Sequence, residues 1–256
     1  MMNPVMTKQY DQICVRKYAT REEMGKAAAE DVAQRIGKTI AAKGSANVVF
    51  ASAPSQNEFL AHLLECPVEW DKVRAFHMDE YIGLAADAPQ GFGNFLRDAL
   101  LSKVAVKEAH YIDGQNPNPQ AACDAYSALL SQYTPDIICL GIGENGHLAF
   151  NDPPVADFAD PLKVKIVELD PVCRMQQVND GCFTSIDQVP THALTLTMSA
   201  ILSIPEAVAI VPSATKAQAL FGTTHGEISE ACPASGLRRK AGAAIYTDMD
   251  AGALLK

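Results

Sequence analysis

The chain has little that would tie it to a membrane or a nucleic acid. No apolar run approaches the ~20 residues that a bilayer-spanning helix needs, and Met1 to Tyr10 holds no long apolar region, so neither an anchor nor a secretory leader is expected. Basic runs are missing too. Against 30 Asp+Glu the chain sets 21 Lys+Arg, a net charge of −9. An acidic surface of this kind repels a phosphate backbone, so no nucleic-acid partner is expected. The seven cysteines are odd in number and never spaced as CxxC, which argues against a disulfide framework or a zinc knuckle and for reduced thiols in a cytoplasmic protein. Neither GxGxxG after a first strand nor GxxxxGK[ST] occurs, so nucleotide binding has no support. No HxxxH pair or clustered Cys/His spacing marks a metal centre.

What is present is a core and a regular alternation of periods. Hydrophobic residues make up 48% of 256 residues and charged ones 20%, enough to bury the interior of one large domain spanning residues 1–256. From Arg21 to Lys43 the spacing Met24, Ala28, Val32, Ile36, Ile40 predicts a long helix with one apolar face. Further helices are expected over Ser55 to Leu64, Gly91 to Leu101 and Pro119 to Tyr133, with a short one over Ser199 to Leu202 and another starting over Lys216 to Phe221. Strands are expected over Asn47 to Ala51, Val73 to Met78, Asp136 to Leu140, Ala193 to Met198, Ala207 to Val211 and Ala243 to Tyr246. Strands alternating with helices imply a mostly parallel sheet covered on both faces, an α/β three-layer fold.

In such a sheet ligands bind beyond the carboxyl ends of the strands. Four polar clusters fall there: Ser52 to Gln56, Asp79 to Tyr81, Gly141 to Asp152 and Pro212 to Lys216. The third is the richest. The apolar run Ile137 to Leu140 feeds a glycine turn that delivers Asn145, His147 and Asp152 within one loop. Backbone N–H groups can approach a ligand closely at such a turn, and a histidine there can move protons near neutral pH. Asp79, at the tip of a strand, suits a general base, although an aspartate there also suits a turn cap. Lys216, in a turn that opens a helix, suits an anion, although a solvated lysine is the commoner case. Ser52 and Ser55 offer hydroxyls in a similar turn that could equally be a helix cap. Met78, Phe150 and Met175 read as core.

Phe76 to Leu84 (FHMDEYIGL) and Leu140 to Pro153 (LGIGENGHLAFNDP) resemble two signature segments of the glucosamine-6-phosphate deaminase family, which lies in the superfamily of the 6-phosphogluconolactonases. Gln188 to Thr195 and Ser213 to Ala217 resemble its later segments, in the same order. The resemblance implies a modified Rossmann-like fold and conversion of an amino-sugar phosphate to a ketose phosphate plus ammonia, with no metal and no organic cofactor. It implies that Asp79 carries a proton between C2 and C1, and that His147, with Asn145 and Asp152, opens the sugar ring. It implies that Lys216 holds the phosphate, with Ser52, Ser55 and Gly143 lining the same site. Three departures stand out. Ala53-Pro54-Ser55 replaces a Gly-Gly-Thr turn, and proline has no N–H to offer. Asp152 replaces a glutamate. Gln177 stands where an arginine is usual, and Arg174, one helical turn away, is the expected substitute. Two rivals stay open at this stage, a sugar-phosphate lactonase and a non-catalytic sugar-phosphate sensor. A homo-oligomer is compatible with either.

Overall fold

The structure is a computed structural model, and it describes residues 3–256. Its strands are β1 (Met6–Tyr10), β2 (Ile13–Lys17), β3 (Ala46–Phe50), β4 (Val73–His77), β5 (Asp79–Tyr81), β6 (Glu108–His110), β7 (Ile137–Leu140), β8 (Val164–Glu168), β9 (His192–Leu196), β10 (Glu206–Val211) and β11 (Ala243–Thr247). Its helices are α1 (Arg21–Lys43), α2 (Asn57–Glu65), α3 (Phe92–Leu96), α4 (Pro119–Gln132), α5 (Pro171–Asn179), α6 (Met198–Ser203) and α7 (Ala217–His225). Among the described residues, no helix is long and apolar enough to cross a membrane.

Eight strands form one sheet in the order β1-β2-β11-β10-β7-β3-β4-β6, parallel throughout except for the β1–β2 hairpin at one edge. The strands obey a period of two. Val48, Phe50, Ile137, Cys139, Val208 and Ile210 face one side, packed on α1 and α2. Val49, Ile138, Leu140, Ala207 and Ala209 face the other, with α4, α6 and α7. All of these are buried, as a parallel sheet covered on both faces requires. The expected α/β three-layer architecture is therefore present.

α1 forms where its apolar stripe predicts it. Met24, Ala28, Val32, Ile36 and Ile40 are all buried. Thr20 caps the start by accepting from the Glu23 N–H, and Gly44, at φ 80°, closes the end with its N–H on the Ile40 carbonyl. Gly25 sits where α1 crosses α2, and a Cβ there would lie 2.6 Å from Glu58 Cβ and 2.9 Å from the Phe59 nitrogen.

A second, antiparallel sheet, β5-β9-β8, is absent from the sequence expectation. β4 ends at His77 rather than running on through Met78. The chain turns, Met78 accepts from the Leu196 N–H, and Asp79 to Tyr81 pair with β9 instead. Beneath this sheet lies a separate aromatic cluster of Tyr81, Phe92, Phe150 and Phe183. The helix expected over Gly91 to Leu101 is α3 followed by a π-helical turn, Arg97–Leu101.

Gly25→Ala is expected to cost about 1–3 kcal/mol in urea unfolding, because the added methyl meets main chain that cannot move aside. Gly37→Ala in the same helix, where nothing lies within 4 Å, should instead gain about 0.5–1 kcal/mol. Equal effects at the two positions would show that the α1–α2 contact is not tight.

Candidate active site

β3 connects outward to β4 on one side, while β7, next to β3, leads to β10 and β11 on the other. That reversal of winding leaves a crevice beyond the carboxyl ends of β3 and β7. All four polar clusters singled out from the sequence line it, around a hollow of about 140 Å³.

The loop after β7 carries a relay. The Gly146 N–H, at φ 85°, closes a turn onto the Gly143 carbonyl, and the Gly143 N–H donates to the His147 carbonyl at 3.0 Å. A Cβ on Gly143 would fall 2.1–2.4 Å from the ring atoms of His147, so the imidazole needs glycine beneath it. His147 Nδ1 lies 2.7 Å from Asn145 Oδ1 and 2.9 Å from Asp152 Oδ1. Both partners are acceptors, so Nδ1 carries the ring proton and Nε2 is left free for a ligand. Asn145 Nδ2 donates to the same Asp152 oxygen at 2.9 Å. The far end of the loop is pinned to β9: Asn151 donates to the Leu148 and Leu196 carbonyls, and the Phe150 N–H donates to Thr195 Oγ1. Ala149, on the hollow wall, sits at φ 51°, a left-handed conformation that an alanine adopts only at a cost of about 1 kcal/mol.

Buried Asp152 is pulled two ways. Burial raises its carboxyl, but the His147 imidazole and the Asn145 amide outweigh that and hold it below the usual carboxylate value. Buried Cys173 lies beside it. Desolvation and the neighbouring Asp152 push this thiol well up, so it stays protonated. Among the described residues, one donor atom each of His147, Asp152 and Cys173 lie within 4.8 Å of one another, a set that could hold a metal ion. In the protein as it stands, His147 and Asp152 are bonded to each other as a proton relay.

Asp79 reaches the hollow from the first position of β5. Its neighbour Glu80 faces the other side of the strand, as the pleat dictates. The two carboxyls are pushed apart. Desolvation, with the Glu80 charge adding to it, raises Asp79 well above the ordinary range. Burial acts on Glu80 too, but His77 and the N–H groups of Gly93 (2.8 Å) and Phe92 (3.1 Å) bring it below its ordinary value. One carboxyl is poised to exchange a proton and the other is fixed as a structural anion.

Opposite stands Lys216, in the 3₁₀ turn Ala214–Lys216 that opens α7. It is 5% exposed, and among the described residues its ammonium has no hydrogen-bond partner. Burial lowers its pKa, with Asp180 and Glu144 pulling the other way. A buried cation without a partner is costly unless a ligand completes it. The turn before it is strained: Ser213 has φ 87° and is held by its N–H on Asp248 Oδ2 at 3.0 Å. The Ser52 hydroxyl is also buried and unpartnered.

Of the expected site residues, Asp79, His147, Ser52, Ser55, Gly143, Gln177 and Lys216 all line the hollow. Asn145 and Asp152 stand behind His147 and act on it. The expectation for Arg174 is overturned. Its segment is helical, but its guanidinium donates to the Ile186 and Val189 carbonyls at 2.7 and 2.8 Å and borders a different surface pocket. Met78 and Phe150 are buried as expected, whereas Met175 is 43% exposed. Three polar wall residues went unforeseen: Arg21, Gln176 and Asp180. Gln176 accepts from the Glu144 N–H at 2.9 Å and so fixes the wall of the glycine loop. A signal existed for it, the polar pair Gln176-Gln177 on a helix, but none for Arg21.

Residues 19–246 match the family model described as glucosamine-6-phosphate isomerases/6-phosphogluconolactonase. A curated glucosamine-6-phosphate deaminase from Listeria innocua is 33% identical over 213 residues, 83% of this chain and 89% of the relative. A solved monomeric glucosamine-6-phosphate deaminase superposes with a TM-score of 0.85 at 27% identity, covering 94% of this chain and 99% of that one. The 6-phosphogluconolactonase from Trypanosoma brucei shares the fold, with a TM-score of 0.79 at 17% identity over 98% of this chain and all of the other.

The raised Asp79 carboxyl has a thermodynamic consequence. A folded chain that keeps a proton the unfolded chain would release has its full stability below the unfolded carboxylate value, and loses it as pH rises through the raised one. Asp79→Asn removes that loss. The variant is expected to melt above the parent near neutral pH, with the gap narrowing toward about pH 4. Melting curves whose separation does not change with pH would show that Asp79 is not held in a proton-retaining environment.

Proposed function

The chain belongs to the glucosamine-6-phosphate isomerase/6-phosphogluconolactonase family, and on that premise we propose that it converts glucosamine 6-phosphate, or a close relative, to fructose 6-phosphate and ammonia. The observation that carries this reading is one hollow lined by a proton-poised carboxyl, a relayed imidazole and a buried, unpartnered ammonium.

The chemistry divides among these groups. His147 Nε2 takes the anomeric hydroxyl proton and returns one to the ring oxygen, which opens the pyranose to the aldehyde. The Asp152 carboxylate stabilises the imidazolium formed on the way, and Asn145 fixes the ring orientation. Asp79 then removes the C2 proton as the C1 oxygen takes one, leaving an enolamine, and delivers that proton to C1 as the amine gives one up. The product is an imine at C2. Water adds to it, the C–N bond breaks, and a C2 ketone and ammonia leave. The balance is one water consumed, with no oxidant or reductant. Desolvation suits Asp79 to this part, because a base must be strong enough to take a carbon-bound proton and must then give it back at C1. Lys216 would hold the phosphate at the far end. The seven free thiols support a reducing, cytoplasmic setting for this reaction.

The direct test is the appearance of ammonia and fructose 6-phosphate in equal amounts from purified protein and glucosamine 6-phosphate. Acid without ammonia, from a phosphogluconolactone, would point to lactone hydrolysis instead. Calorimetric binding without any product would point to a sensor. Asp79→Asn should lower kcat by about 10²–10⁴-fold while inorganic phosphate still binds. A variant that turns over normally would remove Asp79 from the mechanism.

A further inference from the structure

The anion end of the hollow is short of one donor by its own sequence. The turn after β3 carries Pro54, which has no N–H, and the position at 177 offers a neutral amide. Arg174 is engaged elsewhere. A phosphomonoester dianion facing Lys216 alone would meet half the positive charge it carries in negative charge, and Asp180 on the same wall makes the deficit worse.

Arg21 is the other Lys or Arg side chain on that wall. It is the first residue of α1, and its placement follows from the packing of two helices. Gly25, one turn later, lets α1 press against α2 at Glu58. Arg21 Nε pairs with Glu58 Oε2 at 2.7 Å, and Nη2 donates to the Pro54 carbonyl at 2.6 Å. The proline that cannot donate is thus the residue that anchors a guanidinium. Among the described residues Nη1 makes no hydrogen bond. The Glu58 contact is an ion pair and the Pro54 contact a hydrogen bond, so a fork of five donors is oriented without being used up. The side chain is 37% exposed and lines the hollow. The hydroxyls of Ser52, Ser55 and Thr215 share the same lining.

We propose that Arg21 is the second cation of the anion site, its Nη1 meeting the anion beside Lys216, so that this end of the hollow selects a phosphomonoester dianion. The proposal rests on the sugar-phosphate reading of the hollow and names the residue that would make it specific.

The test uses the full chain and inorganic phosphate as the calorimetric probe at low salt, alongside initial rates with glucosamine 6-phosphate. Arg21→Gln should weaken phosphate binding roughly ten- to a hundredfold and raise KM to match, leaving kcat within a few fold, since the proposal gives the guanidinium the phosphate and not the reacting carbons. Arg21→Lys keeps the charge and the helix packing but not the fork. It should fall between the two, and it carries the test if the glutamine variant does not fold. Arg21→Gln binding phosphate as tightly as the parent, while Lys216→Gln does not bind it, would overturn the role of Arg21 alone. A parent chain that binds no inorganic phosphate would overturn the sugar-phosphate reading and the Arg21 proposal together.

Discussion

The pairing of β3 with β7 is the constraint on which everything else depends. These two strands lie side by side at the middle of the sheet, yet their connections run to opposite edges. Helices on either side cannot close over the gap between them, and a crevice remains at their carboxyl ends. Four loops that are far apart in sequence meet there because the sheet leaves them nowhere else to converge. The two buried faces of the strands fix that meeting point firmly. A shift in sheet order would expose Val48 and Ile137 on one side or Val49 and Ile138 on the other.

The hollow inverts the character of the molecule around it. The chain as a whole is acidic, but the ligand proposed for it is an anion. The cationic side is made from a few residues that are buried or anchored, not from surface charge. Burial has opposite consequences for the groups it encloses. It favours the proton on Asp79, disfavours the one on Lys216, and is overridden at Asp152 and Glu80 by nearby donors. Asp79, Asp152 and Lys216 at the hollow, and Glu80 on the other side of β5, thus keep distinct protonation habits. An acid/base site needs this separation, and no composition statistic could have indicated it.

Much of this was legible in the sequence, and the remainder was not for identifiable reasons. The α1 stripe, the central parallel strands and the glycine loop were readable because local periodicity and turn chemistry determine them. Asp79 and His147 were readable as strand-end groups. The second sheet was not: β5 is three residues long and pairs with a strand more than a hundred residues later, so its signal is non-local. Arg174 was misjudged because helical spacing says which residues share a face but not whether nearby carbonyls, here those of Ile186 and Val189, will take the side chain first. Arg21 was invisible because its approach depends on Gly25 and Glu58 in two different helices.

The alternation of Asp79 and Glu80 along β5 carries one more consequence. The two carboxyls differ by a single step, and their different fates follow from which side of a three-residue ribbon each one occupies. If the ladder with β9 slipped by one residue, Glu80 would enter the hollow and Asp79 would meet the amides of Phe92 and Gly93. The chain would keep both acids and lose the base proposed for it. On the proposed mechanism, competence is a matter of strand alignment, and the Asp79–Thr195 pairing guards it as surely as the carboxyl itself.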